Sequence, residues 1–176
     1  SDGVLAIIIT IMVLELKVPH EPSLRALLEQ TPMYVSYGTS FLIVAIMWVN
    51  HHRLFTLIRR SDERLLAFNT LLLLAVSIVP FPTAVLARYL DTPEARTAAL
   101  VYNVHGLLIA LAYTALFRHA VLSGRLLRTD VPPRMVQEIA AQYRFGPLLY
   151  LVCIGVALLN GYAAVALNVA LVVYFG

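Results

Sequence analysis

The chain has 176 residues, 60% of them hydrophobic and only 13% charged, with a mean hydropathy of +0.81. Soluble domains carry about a quarter charged residues, so this composition excludes one and points to an integral membrane protein. The net charge of +3 is no nucleic-acid footprint, because the arginines are scattered through loops rather than gathered on one face. The apolar segments are long and do not alternate with period two, which selects helices over a barrel. Cys153 is the single cysteine; it excludes an intrachain disulfide and reads as a small core residue. No cleavable signal peptide is visible, and the chain starts without Met and stops in apolar sequence at Gly176, so both ends look trimmed.

The first element is an apolar run from Gly3 to Leu14, broken only by Thr10 and flanked by Asp2 on one side and Glu15 and Lys17 on the other. A helix over Ser1–Val18 would span ~27 Å, close to one hydrocarbon core. At ~100° per residue, Ile7, Ile11, Leu14 and Val18 stack on one stripe, with Gly3 and Thr10 on its edge, and Asp2 points into the bundle. Such a stripe either packs on a neighbouring helix or lipid, or lines a narrow pore, where hydrophobic constrictions gate by dewetting.

A polar hairpin, His20 to Pro32, follows, with an amphipathic turn over residues 24–29. The second span is expected at about Met33 to His52. Its first third carries Tyr34, Ser36, Tyr37, Gly38, Thr39 and Ser40, small and polar residues suited to helix–helix contact. It ends at Trp48, Asn50, His51 and His52. Trp48 and His51 share a face at i, i+3, whereas His51 and His52 diverge by ~100° and cannot hold one metal together. A Trp and a His at this end serve either as an interfacial anchor or as partners for the Ser1-Asp2 end of the first helix, since an unpaired buried carboxylate is costly.

The third span, about Leu65 to Leu90, contains Asn69, Ser77, Pro80 and Pro82; Pro80 should free the carbonyl of Val76 and kink the helix, with Ser77 placed to compensate. Asn69 reads as a packing residue. The fourth span runs from about Ala98 to Phe117 with Asn103 and His105 near its start. The fifth begins amphipathically at Met135 and turns apolar at Gly146-Pro147, and the sixth covers about Tyr162 to Phe175. The loops after spans two and four hold four arginines each, more basic than the other two, so the positive-inside rule places both termini in the cytoplasm. The expected fold class is all-α, a single polytopic domain over residues 1–176 with six transmembrane helices.

Three stretches carry a resemblance. The opening S-D-G-V-x-A-I-x-I-T-x-x-V-L-E-L-K-V-P, then W-V-N-H-H-R-L-F at Trp48–Phe55, then N-T-L-L-L-L-A-V-S-I-V-P-F-P-T at Asn69–Thr83, together covering the first half of the chain, are similar to the endolysosomal potassium channel family and its bacterial homologues. That family's R-x-x-x-F-S-D signature would have its Arg and Phe upstream of Ser1. The resemblance implies a homotetramer in the bacterial cell membrane, without a TVGYG filter, in which four first helices line a central pore. It implies a constriction at Ile7, further rings at Ile11 and Leu14, a polar ring at Thr10 and carboxylates of Glu15 at the outer mouth. It also implies a structural polar cluster of Ser1, Asp2, Trp48, His51 and Asn69. The permeant species would be K⁺, with no cofactor and no bound metal.

Two other classes stand beside that reading. An ion-coupled transporter would use discontinuous helices and ionisable groups at mid-depth; Pro80, Pro82 and Gly146-Pro147 fit, but no span carries a carboxylate there. A non-conducting scaffold subunit would need neither. An enzyme is not expected, because the spans hold no G-x-S-x-G, H-E-x-x-H or paired aspartates.

Overall fold

Backbone amides and carbonyls in hydrocarbon must bond to one another, so a chain this apolar folds as helices. The structure, a computed structural model, describes every residue except Glu15, His20, Pro22, Ser123 and Gly176, and describes residues 138, 142, 174 and 175 by backbone alone. Its elements are α1 (Asp2–Val13), α2 (Leu24–Leu28), α3 (Thr31–Thr56), α4 (Glu63–Ser77), α5 (Pro80–Tyr89), α6 (Ala95–Leu122), α7 (Pro133–Leu159) and α8 (Gly161–Phe175). Four stretches are long and apolar enough to cross a membrane: Thr31–Thr56, Glu63–Tyr89, Ala95–Leu122 and Pro133–Leu159. α1 and α8 are apolar but shorter.

α1 corrects the expectation of a helix to Val18. It stops at Val13, where the Leu14 amide reaches back only three residues to Ile11. Val18 precedes Pro19, whose ring disfavours helical backbone one residue earlier, and it lies outside the helix and exposed. The 12 residues of α1 span ~18 Å.

The kink falls where Pro80 predicts it, but the compensation differs. α4 ends at Ser77 and α5 starts at Pro80. The Val76 carbonyl accepts from the Val79 amide at 3.0 Å, and the Ser77 hydroxyl donates to Leu74, not to Val76. A tighter backbone turn therefore satisfies the carbonyl that Pro80 cannot.

α7 passes through Pro147 unbroken. Proline there leaves the Tyr143 carbonyl without its amide, and the Thr114 hydroxyl of α6 lies 3.1 Å from that oxygen. The α6–α7 pair is thus held at the one point where α7 lacks its own bond.

Two apolar clusters form the core. One joins α1, α3, α4 and α6 through Leu5, Ile8, Met12, Val44, Leu72 and Leu116, and the other joins α5, α6, α7 and α8 through Leu86, Ala99, Ala157 and Ala164. Small residues in the second cluster let helices approach closely. A Cβ added at Gly161 would lie 2.5 Å from the Ala95 carbonyl oxygen. Cys153 is buried as expected of a core residue. At one end of the bundle the loop after α3 pairs with the loop after α6: Ile58 lies antiparallel to Leu127, Arg59 N donates to Leu126 at 2.8 Å and Arg128 N to Leu57 at 2.9 Å.

Candidate functional site

α1 has two faces. Leu5, Ile8 and Met12 are buried, 3% exposed or less, against α3 and α4. On the opposite side Ile7, Ile11 and Leu14 are 59%, 45% and 77% exposed, with Gly3 and Thr10 open beside them. The chain therefore turns its apolar stripe outward, onto whatever lies beyond it. The Thr10 hydroxyl donates to the Ile7 carbonyl at 2.8 Å. Its proton is used within the helix, so the oxygen is left as an acceptor toward the open side. Glu15 lies outside the described residues.

The start of α1 is tied to two other helices. The buried His51 of α3 pairs through Nε2 with Asn69 Oδ1 of α4 at 2.9 Å, and Asn69 Nδ2 donates to Ser1 Oγ at 3.3 Å. Because Asn69 offers its oxygen, His51 is the donor and its proton sits on Nε2. The His51 ring stacks on Phe55 with centroids 4.4 Å apart. A histidine in this apolar setting needs such a partner, since an unmade hydrogen bond there costs more than a made one contributes.

Two residues expected in this cluster sit differently. Trp48 lies one turn before His51 but is half exposed, with its ring 6.1 Å from that of His52. Asp2 is exposed on the single chain rather than buried in the bundle; its charge reaches His51, but it is not among the hydrogen-bonded groups. The reason is positional: α1 starts at Asp2, so its side chain stands at the helix end, where Ser1 rather than Asp2 meets Asn69.

Other polar contacts escaped the sequence reading. Thr83 of α5, Ser40 of α3 and Tyr102 of α6 form a buried hydroxyl chain with links of 2.8 and 2.9 Å, and Thr83 also reaches the Val79 carbonyl. The Tyr113 hydroxyl donates to the Met47 carbonyl at 2.7 Å and that of Tyr143 to Asn50 at 3.2 Å. The available signal was a hydroxyl inside each apolar span, since buried hydroxyls require partners. Outside the spans, Asp62 caps α4 through the Leu65 amide and accepts from His119 Nε2 at 3.0 Å. These two donors, the amide first, hold its carboxyl below the ordinary carboxylate range.

The family model for the endosomal/lysosomal potassium channel TMEM175 matches residues 1–80, the part holding α1 and the His51–Asn69 pair. A potassium channel of Chamaesiphon minutus is 44% identical over 181 residues, covering 99% of this chain and 89% of that protein. One of Streptomyces collinus is 39% identical over 183 residues, covering 100% of this chain and 88% of its own. The crystal structure of a lysosomal potassium-selective channel TMEM175 homologue from Chamaesiphon minutus superposes with a TM-score of 0.89 at 42% identity, over 99% of this chain and 91% of that one. With the fold, the opening motif and nearly the full length all shared, this chain is a member of the TMEM175 family of ion channels.

Proposed function

We propose that the protein is a potassium-permeable cation channel, a homotetramer in which α1 of each chain lines a central pore. The observation that carries this is the outward stripe of α1: three large aliphatic side chains and one hydroxyl oxygen point away from a helix whose other face is well buried. The relatives named as potassium channels support it. Each chain would cross the membrane six times, through α1, α3, the kinked α4–α5 pair, α6, α7 and α8. Both termini would be cytoplasmic, in a bacterial cell membrane. A pore-lining helix faces neighbouring chains and water rather than lipid, so the ~18 Å of α1 need not match the full hydrocarbon core.

In this arrangement Ile7 forms the tightest ring, with Ile11 and Leu14 beyond it. A short apolar ring excludes water, and an ion entering it loses hydration without replacement ligands. Thr10 supplies the one ring of oxygen acceptors, and Glu15 would add carboxylates near the outer mouth that concentrate cations. The Ser1–Asn69–His51 linkage sets the register of α1, with Trp48 and Asp2 free to join it across the assembly. No cofactor is needed; the species handled is K⁺.

The test is conductance and bi-ionic reversal potential of purified protein in bilayers. Ile7→Asn should wet the ring, raise cation conductance and lower K⁺/Na⁺ discrimination, while Ile7→Met, of similar volume, should keep a working gate. Unitary currents separate a channel from a transporter or scaffold subunit, which gives none. If Ile7→Asn leaves both quantities at wild-type values, the constriction is not at Ile7.

A further inference from the structure

A groove of about 450 Å³ runs between α3, α6, α7 and α8, away from the stripe of α1. That is the size of a small-molecule site. Its wall is almost wholly aliphatic and aromatic, and among the described residues that line it none is charged. The Tyr113 and Tyr143 hydroxyls are bonded to α3 carbonyls. From Ile43 to Asn50 on α3, and from Tyr143 to Tyr150 on α7, the groove extends ~10 Å along the helices. Phe145 stands half exposed on its rim. Apolar surface of this shape on the flank of a membrane bundle suits a hydrocarbon chain.

The two ends of the groove differ. Ile43 and Tyr150 stand at one, and Asn50 and Tyr143, joined by a hydrogen bond of 3.2 Å, at the other. Two arginines adjoin that second end. Arg53 follows Asn50 by three residues, one turn on along the same side of α3, and its charge reaches the Tyr143 hydroxyl. Arg144 follows Tyr143 in α7, with its guanidinium 5.8 Å from the ring centroid of Phe145. Both arginines are exposed, and neither is in an ion pair among the described residues. They lie at the end of the bundle where the loops after α3 and α6 pair, the end that meets headgroups. An apolar trough leading to two cations matches an amphiphile with a hydrocarbon tail and a negative head. A phosphate suits the guanidinium forks in charge and in its several acceptor oxygens. A zwitterionic headgroup would add an ammonium, which the two arginines repel.

We infer that the groove holds one acyl chain of an anionic phospholipid from the leaflet at this end, with its phosphate on Arg53 and Arg144. The second acyl chain stays in the bilayer.

The test uses the full chain in phosphatidylcholine vesicles doped with phosphatidylglycerol that carries a diazirine midway along one acyl chain. Phosphatidylcholine with the same labelled chain is the comparison. Labelling by phosphatidylglycerol should saturate at low mole fraction and map to groove residues such as Ile46, Ala110 and Leu149. Each basic group near an anionic headgroup contributes about a fivefold preference, so phosphatidylglycerol should label roughly 25-fold better than phosphatidylcholine. Arg53→Gln combined with Arg144→Gln should bring that ratio close to one, and either alone should lower it about fivefold. A second measurement needs no variant: about 1 M salt should shrink the wild-type ratio, because the screening length falls to ~3 Å. Equal labelling by the two lipids, a ratio unchanged by salt, or a ratio unchanged in the double variant would each overturn the proposal. Labelling that never saturates and spreads over exposed residues such as Leu151 and Leu158 would do the same. So would efficient crosslinking between chains of a cysteine at Phe145, because a neighbouring subunit would then fill the groove.

Discussion

His51 and Asn69 show how a single buried polar residue constrains its neighbours. The two come from different helices, and each leaves the other unsatisfied when removed. Asn69→Leu should therefore lower stability by roughly 1–3 kcal/mol, read as the thermal unfolding of detergent-solubilised protein. Adding His51→Phe to Asn69→Leu removes the stranded donor and keeps a ring for Phe55 to stack on, so the double variant should recover part of the loss. A double variant as unstable as the sum of the singles would mean that the pair is not coupled. Thr10 belongs at this scale too. With its proton donated to Ile7, Thr10→Ala removes an acceptor and little volume. In the proposed pore it should reduce K⁺/Na⁺ discrimination in reversal-potential measurements without opening a closed gate; Thr10→Ser should retain discrimination.

Among the elements, α7 depends on its neighbour. Pro147 deletes one internal bond, and the Thr114 hydroxyl of α6 supplies part of the replacement, its one proton shared between the Ala110 carbonyl of its own helix at 2.8 Å and the Tyr143 carbonyl at 3.1 Å. Thr114→Val keeps the shape but strands that carbonyl, and should cost about 1 kcal/mol, within the range measured for polar contacts between membrane helices. Thr114→Ser should restore wild-type melting, an outcome that a purely steric role for Thr114 would not produce. The α6–α8 contact is a backbone-to-backbone approach at Gly161 and Ala95. Gly161→Ala cannot be relieved by a side-chain rotation, because the atom it meets belongs to the main chain. The variant should lower the melting temperature and increase proteolysis at the start of α8.

For the whole molecule, the decisive feature is the end where the loops after α3 and α6 pair. Arg53, Arg59, Arg60 and Arg64 on one side and Arg118, Arg125, Arg128 and Arg134 on the other are brought to the same end of the bundle. Asp62 and His119 bridge the two sides within this basic region. Asp62 has its folded pKa depressed, so its contribution is present above the ordinary carboxylate value of about 4 and is lost as pH falls through the lower folded value. Melting curves of wild type and Asp62→Asn should differ in full from about pH 5 upward and converge only once pH falls below the depressed folded value of Asp62. Curves that stay parallel across that range would place the origin of the difference elsewhere.

Much of this was legible in the residues. Apolar runs of helical length, bounded by charge and proline, identify the membrane helices because every backbone group in lipid must be satisfied within its own segment. The 3.6-residue period placed Ile7, Ile11 and Leu14 on one stripe, and the opening motif named the family. The length of α1 was not legible: apolar residues continue to Val18, while the helix ends at Val13. Nor were the partners. Asn69 rather than Asp2 meets His51, and Thr114 of α6 reaches the carbonyl of α7 that Pro147 leaves open. Periodicity assigns a residue to a face of its own helix from local geometry alone. Which neighbour that face meets depends on how helices distant in sequence pack, and only the tertiary structure decides it.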